Sequence, residues 1–269
     1  MTKEDNVEKD KKSKYSDVEK EPEGNIYIVP TSHVSENSSK RVHSVVEKIN
    51  PNIIAVELDN NRLKRLTSDT NLSKNVSIKD ILKQDNIGLK GKIMLITFSK
   101  FQSTISKKLG IDVIGLDMLA GYEEASKRDI PLALVDQDMQ ITFNRFTEEV
   151  SFIELIKTIG SFGLAYVQLS RQSKEELTEQ VDSENINIDE VMHHIENVFP
   201  TFKKVFLDER NEVIAEKTAN IAKNFDKTVL VIGAGHKKGV VDILNNEYEN
   251  VTVKNTFENL ESINEFKLD

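Results

Sequence analysis

Four short runs of mostly branched apolar residues punctuate the sequence, and each stops at polar or ionisable residues. Ile26-Tyr27-Ile28-Val29 gives way to Pro30-Thr31-Ser32-His33, and Ile53-Ile54-Ala55-Val56 to Glu57-Leu58-Asp59. Leu132-Ala133-Leu134-Val135 ends in Asp136-Gln137-Asp138, and Val229-Leu230-Val231-Ile232 in Gly233-Ala234-Gly235-His236. Runs of this length and composition predict buried strands. Between the first two, Val42, Val45, Val46 and Ile49 recur at helical spacing, and Asn50-Pro51-Asn52 stops that helix. Strand, helix and strand over roughly thirty residues make a βαβ unit, whose strands are parallel. The expected fold class is α/β: a central mixed, mostly parallel sheet flanked by helices. Open sheets of this class bind ligands beyond the C-terminal ends of their strands, which is where these acids and histidines fall.

The remaining chain is read around that frame. Residues 1–23 are nearly all charged or small polar residues; such a segment cannot bury enough apolar surface to offset its ordering entropy and is expected to be a disordered tail. Residues 24–269 then form a single domain. Pro30 is expected to end the first strand, because it cannot donate to a central ladder, and Ser35 to cap the helix after it. Helices are expected over 60–66, 78–82, 92–109, 118–128, 140–170, 173–198 (broken around Ser183–Asn187) and 202–224, with a short one over 240–244. Val113–Leu116 reads as a short strand or a turn, and Val251-Thr252-Val253 as a last strand. Residues of about 140–224 contain no strand pattern and are expected to form a helical insertion or cap.

Composition narrows the function classes. The net charge of -9 and pI near 5.3 argue against a dedicated nucleic-acid binder, which carries a basic footprint. Without cysteine, thiol nucleophiles, disulfides and thiolate metal sites are excluded. The first residues, Met1-Thr2-Lys3-Glu4-Asp5, carry no apolar run, so no signal peptide is expected. Phe152–Leu169 is the most apolar long window, but it contains Glu154 and Lys157, so it predicts a buried or amphipathic helix rather than a transmembrane segment. A cytoplasmic protein is the expectation.

His33 and His236 each follow a strand in a context of small residues, where the backbone can turn sharply toward a ligand. Neutral imidazole is a common ligand of divalent metals; the plainer alternative is a hydrogen bond to loop backbone. Glu57 follows an unbroken apolar run and is expected to be buried, which demands a partner or a raised pKa and suits a general base or a metal ligand. Glu57 and Asp59 alternate on one strand face; the structural alternative for both is an ion pair with Arg62 or Arg65. Asp136 and Asp138 repeat the arrangement, with hydrogen bonding to turn backbone as the expected role of at least one. Arg62, Arg145 and Arg210 are candidate clamps for a carboxylate or a developing oxyanion, though Arg210 follows Asp208-Glu209 and equally suits a structural ion pair. Gly233-Ala234-Gly235 is not a dinucleotide fingerprint, since Lys238 stands where the third glycine belongs, but it suits an anion at a helix N-terminus. His43 is expected on the solvated side of its helix. His193-His194, being adjacent, diverge on a helix and make a poor metal pair.

Taken in order, Ile26–Ser35, Val56–Arg62, Gly115–Ala125, Val135–Arg145, Asp208–Asn211 and Val231–Gly239 resemble the TraB family, which includes the pheromone-shutdown proteins TraB and PrgY and, more distantly, the Tiki proteases. The resemblance spans residues 25–255. It implies a metal-dependent hydrolase fold in which two Gly-x-x-His motifs and a glutamate form the centre; carried across, these are His33, His236 and Glu57. The second motif is intact at Gly233–His236, whereas Pro30 replaces the glycine of the first. Gln137 stands where the family often has arginine. The resulting expectation is a hydrolase dependent on a divalent metal (Zn, Mn, Co or Fe), acting on a peptide or similar amide. His33, His236 and Glu57 would hold the metal, Arg62, Arg145 and Arg210 would support catalysis, and Thr31, Ser32, Asp59, Asp136, Asp138, Gly233 and Gly235 would line the substrate. The alternatives are a non-catalytic protein that sequesters a peptide or signal ligand, and an esterase-like hydrolase using a His–Glu pair without metal. The expected partners are a peptide or small-molecule substrate and a second copy of the chain.

Overall fold

A computed structural model describes residues 24–31, 36–67, 88–109, 115–173, 176 and 196–255. Among the described residues, five strands form one sheet in the order β3-β2-β4-β1-β5. They are β1 (Gly24–Thr31), β2 (Ile53–Val56), β3 (Leu132–Leu134), β4 (Lys227–Gly233) and β5 (Val251–Asn255). The sequence predicts a mixed, mostly parallel sheet, and every pairing among the described strands is parallel. The reason is the connectivity: each of the first four strands is followed by at least one helix, and a crossover returns the chain in the same direction, whereas a hairpin would reverse it.

The helices are α1 (Glu36–Ile49), α2 (Asn60–Thr67), α3 (Leu89–Leu109), α4 (Leu116–Arg128), α5 (Met139–Glu149), α6 (Phe152–Arg171), α7 (Pro200–Lys203), α8 (Glu209–Ala222) and α9 (Ala234–Glu247). A π-helical segment, Lys204–Asp208, joins α7 to α8. The two sheet faces carry different helices. Val29, Ile54, Val56, Val229 and Val231 pack against Val42, Val45 and Val46 of α1 and Met118 of α4. Ile26, Ile28, Ala55, Leu230 and Ile232 pack against Ile214, Ala215 and Ala219 of α8 and Val240 and Leu244 of α9. Alternation along each strand divides the apolar residues between the two faces. A third cluster, Met94, Phe143, Phe146, Val150, Leu155, Val205 and Phe206, joins α3, α5 and α6 to the π-helical segment.

Several expectations need correction. Pro30 does not end β1, which runs on to Thr31 with Pro30 in register with Ile232. Among the described residues the pairing with β5 reaches Ile28↔Asn255, and Pro30 pairs with β4. Gly233-Ala234-Gly235-His236 is no loop: α9 starts at Ala234, and His236 lies in its first turn. The 140–170 helix is two, because Ser151 caps a new one by accepting from the Glu154 N–H. α6 is buried along only part of its apolar surface, at Leu155 and, in part, Ile159 and Phe162. Phe152, Ile153 and Ile156 are exposed, while Glu154 and Thr158 are buried. Glu154 is held inward by accepting from the Thr201 N–H at 2.7 Å and from the Thr201 hydroxyl at 2.6 Å. No described helix is long and apolar enough to cross a membrane. The 1–23 segment, Ser35, the 78–82 helix, Val113, Ile114 and most of the 173–198 helix lie outside the described residues.

His43 is not merely solvated; its Nδ1 lies 3.0 Å from Glu124 Oε1 and ties α1 to α4. Arg128 donates to the same carboxylate at 2.9 Å and to Asn50 Oδ1 at 3.3 Å. Burial pushes the Glu124 carboxyl upward, but the hydrogen bonds from Arg128 and His43 and the nearby Lys127 and Arg128 charges hold it below its ordinary value. A carboxyl whose folded value is depressed adds stability above its ordinary value and loses it as pH falls through the folded one. Glu124→Gln is therefore expected to cost about 1–2 kcal/mol at neutral pH. In urea titrations, the gap to the parent should narrow steadily as the pH is taken below the carboxylate range; a gap independent of pH would contradict this account.

Gly121 tests the packing of α4 on the sheet. A Cβ there would lie 2.8 Å from Val56 Cγ1 and 3.6 Å from Ile54 Cγ2. Alanine favours helix by about 1 kcal/mol over glycine, whereas overpacking against a stiff, fully buried valine costs about 1–3 kcal/mol. The clash should win, so Gly121→Ala is expected to lower the urea midpoint; a higher midpoint would mean that Val56 moves aside freely.

Candidate functional site

Glu57, Asp136, Arg210 and His236 meet at the C-terminal edge of the sheet, and each is buried. The backbone explains the meeting. Val56 is in register with Val231 of β4 and Leu134 of β3, so Glu57 and Asp136 leave neighbouring strand ends. By alternation, Glu57 falls on the face of Ala55, the face that α8 and α9 cover. Arg210 reaches it from the first turn of α8, and His236 from the first turn of α9.

Arg210 is the centre of the charge network. Its Nε donates to Asp136 Oδ1 at 2.9 Å, and its Nη2 donates to Asp136 Oδ2 at 2.8 Å and to Glu57 Oε1 at 2.5 Å. Its Nη1 donates to the Phe206 carbonyl at 3.2 Å. Burial works against the guanidinium charge, but Glu57 and Asp136 outweigh it and hold the Arg210 pKa above its ordinary value. Arg62 approaches from α2, donating from Nη1 to Asp136 Oδ2 at 3.2 Å and to the Glu57 carbonyl at 3.4 Å. Two carboxylates and two guanidiniums thus balance formally, and Arg62, with 22% of its side chain exposed against 9% for Arg210, is the one facing outward.

Glu57 is also fixed from its other oxygen, Oε2, which accepts from the Gly233 N–H at 2.6 Å. Gly233 is the N-cap of α9, so the carboxylate sits where unpaired N–H groups and the helix dipole favour a negative charge. His236 Nε2 lies 3.4 Å from Glu57 Oε1. Its other ring nitrogen, Nδ1, lies 2.7 Å from Asn211 Oδ1. Gly239 lets Asn211 reach this position: a Cβ there would fall 2.2 Å from Asn211 Nδ2.

The other predicted residues divide into four groups. Asp59 and Asp138 are helix caps. Asp59 Oδ1 accepts from the N–H groups of Asn61 and Arg62 at 2.7 and 2.9 Å, and Asp138 Oδ1 from that of Gln140 at 2.8 Å. Their helices are tied together by Asn61 Nδ2, which donates to Asp138 Oδ2. Arg145 stands apart from the centre, donating to Glu149 and Glu209; the acid beside Arg210 in sequence holds it outward. Thr31 donates from its hydroxyl to the Ile232 carbonyl at 3.1 Å, joining the ends of β1 and β4, and Gly235 lies in the first turn of α9. His33, Ser32, His193 and His194 lie outside the described residues.

Asn211 was not singled out as a site residue from sequence, and neither was Gly239. A signal for Asn211 exists. Asn211, Ile214, Ala215, Thr218, Ala219 and Ala222 are buried along α8, so a carboxamide shares the otherwise mostly apolar stripe of that helix and needs a partner there.

The fold and this cluster define an α/β protein whose ionisable residues converge beyond the strand ends, where the chain's return through β4 separates β1 from β2. The chain belongs to the TraB/PrgY/gumN family, whose sequence profile matches residues 16–252. It is 33% identical over 225 residues to an uncharacterised protein of Methanocaldococcus jannaschii, covering 82% of this chain and 54% of that one. It is 25% identical to the mouse and 24% identical to the human TraB domain-containing protein, each over 80% of this chain and 61% of the relative. The chain therefore spans little more than half the length of these relatives.

The buried network makes a stability prediction. Removing one partner of a buried charge cluster leaves the others uncompensated and typically costs about 3–5 kcal/mol. Arg210→Met is expected to lose stability on that scale in urea denaturation, and adding Glu57→Gln and Asp136→Asn to it should recover part of the loss. No recovery in the triple variant would mean that the loss comes from packing and not from stranded charge.

Proposed function

We propose that this chain is a divalent-metal-dependent hydrolase acting on a peptide or similar amide, with Glu57 and His236 at the reacting centre. One observation carries the reading: Glu57 Oε1 and His236 Nε2 are 3.4 Å apart at the sheet's C-terminal edge. With bonds of about 2.1 Å, two donors of one tetrahedral ion stand roughly 3.4 Å apart. An imidazole and a carboxylate together suit Zn, Mn, Co or Fe. Among the described residues there is no group of three or more metal-ligating side chains; in this proposal His33, two residues beyond the end of β1, supplies the third donor. A bound divalent ion makes a water-derived nucleophile available near neutral pH.

The protein's own residues have separate tasks. Arg210 and the Gly233 N–H fix both oxygens of Glu57, so the carboxylate is oriented before any ligand arrives. Arg62, with 22% of its side chain exposed at the rim and Nη1 directed at Asp136 and the Glu57 carbonyl, would hold a substrate carboxylate. Arg210 has its donors committed to Asp136, Glu57 and the Phe206 carbonyl, and its task is orientation rather than substrate binding.

A second reading is favoured by the ion pair itself. Arg210 already compensates the Glu57 charge, which suits a His236–Glu57 pair that works without metal. There His236 Nε2 would accept the proton of an attacking water.

Elemental mass spectrometry of protein purified without chelator, followed by assay against peptide and ester libraries with and without chelator, separates these readings. Near-stoichiometric metal, lost in His236→Ala, with turnover abolished by chelator and restored by metal, is the expected result. Glu57→Gln and His236→Ala should each reduce turnover by about 10²–10⁴-fold, the usual range for loss of a proton-transferring group. Turnover that survives chelation would support the metal-free pair. Peptide affinity without turnover in the metal-loaded protein would overturn both and leave sequestration.

A further inference from the structure

We propose that Asn211 is a positioning residue that sets the tautomer of His236, taking the Nδ1 proton and leaving Nε2 as the proton-free nitrogen beside Glu57. The inference rests on the geometry of the cluster and holds whether or not the chain is a hydrolase.

Three observations carry it. First, Nδ1 lies 2.7 Å from Asn211 Oδ1. A carboxamide oxygen only accepts, so Nδ1 must be the protonated nitrogen, and in a neutral ring Nε2 is then the acceptor. Second, the Nε2–Glu57 Oε1 separation is 3.4 Å, longer than the roughly 2.7–2.9 Å of an N–H donating to a carboxylate. A tautomer that donates its Nε2–H to Glu57, with Nδ1 facing the Asn211 amino group, would draw that contact shorter. Third, the carboxamide has no freedom to drift. Asn211 is 5% exposed, and its Nδ2 and Cγ lie against the bare Cα of Gly239, where a Cβ would approach them to 2.2 and 2.9 Å.

The consequence is a division between the two nitrogens. Nδ1 is committed to α8, and Nε2 faces a carboxylate oxygen with a lone pair of its own. Two acceptors at that separation attract a shared proton or cation. Gly239 extends the same argument to α9. Its missing side chain lets α8 and α9 approach closely enough for a residue on one helix to orient a residue on the other.

The test is long-range proton–nitrogen correlation NMR of the imidazole rings in uniformly nitrogen-15-labelled full-length protein. The chain has five histidines, and loss of signals in His236→Ala assigns the ring in question. At a pH roughly two units above the ordinary imidazole value of about 6.5, the parent protein should show a pyrrole-like Nδ1 and a pyridine-like Nε2. Asn211→Asp keeps an acceptor oxygen and should keep that pattern. Asn211→Leu removes the acceptor and should raise the ratio of the Nε2–H to the Nδ1–H tautomer by about tenfold, as expected for the loss of one buried hydrogen bond. Gly239→Ala changes none of the three interacting side chains and should move the ratio in the same direction by displacing Asn211. If Asn211→Leu does not fold, Asn211→Asp and Gly239→Ala decide the matter together. A pyridine-like Nδ1 in the parent, a ring protonated at both nitrogens at that pH, or a ratio that neither Asn211→Leu nor Gly239→Ala moves would overturn the proposal.

Discussion

Arg210 brings a full positive charge into a part of the molecule almost closed to water, and the arrangement of the site follows from the need to compensate it. Desolvating a guanidinium is costly unless its donors meet acceptors of opposite charge. Here the acceptors come from three elements: Asp136 after β3, Glu57 after β2 and the Phe206 carbonyl of the π-helical segment. The planar fork of arginine matches the Asp136 carboxylate with two parallel bonds, and lysine offers no such fit. Such a cluster is a weak argument for net stability but a strong constraint on registry, because a strand end shifted by one residue would strand a charge.

The surroundings make that constraint rigid. Phe206 stacks on Phe202 at 4.6 Å and meets Phe143 and Phe146 edge-on at 5.4 Å each. The carbonyl that receives Arg210 Nη1 is thus anchored in the third apolar cluster, beneath the helices of the middle block. π-Helical turns are rare and often occur at functional sites; this one immediately precedes the helix that carries Arg210 and Asn211. On the other side, Glu57 is held by the N–H of Gly233, the N-cap of α9. A single carboxylate therefore reads the positions of both α8 and α9, and His236 stands between it and Asn211.

Much of this was legible in the sequence because it depends on local pattern. The four apolar runs marked four of the five strands, Val42, Val45 and Val46 marked the buried face of α1, and the acids at the strand ends marked the edge where the cluster lies. Glu57 was legible as a buried carboxylate, since an ionisable residue directly after an unbroken apolar run has nowhere else to go. What the pattern could not resolve was partnership. Asp59, Asp136 and Asp138 look alike as acids after strands, yet Asp136 meets a buried arginine and the other two cap helices. The nearest cations in sequence suggested Arg62 or Arg65 for Glu57, whereas its guanidinium partner comes from 153 positions away.

By itself, then, the sequence determined the parallel α/β framework, the family, and the edge of the sheet at which ionisable residues gather. Periodicity and strand length are properties of neighbouring residues, and they survive without knowledge of the rest of the chain. Only the tertiary structure decided that Arg210 joins Glu57 to Asp136, that Arg145 turns away to Glu149 and Glu209, and that Asn211 faces His236 across Gly239. Those choices depend on how closely helices distant in sequence can approach the sheet and each other, and the approach is set by packing: a missing side chain at Gly239, an aromatic cluster under Phe206, and the register of β2 between β3 and β4.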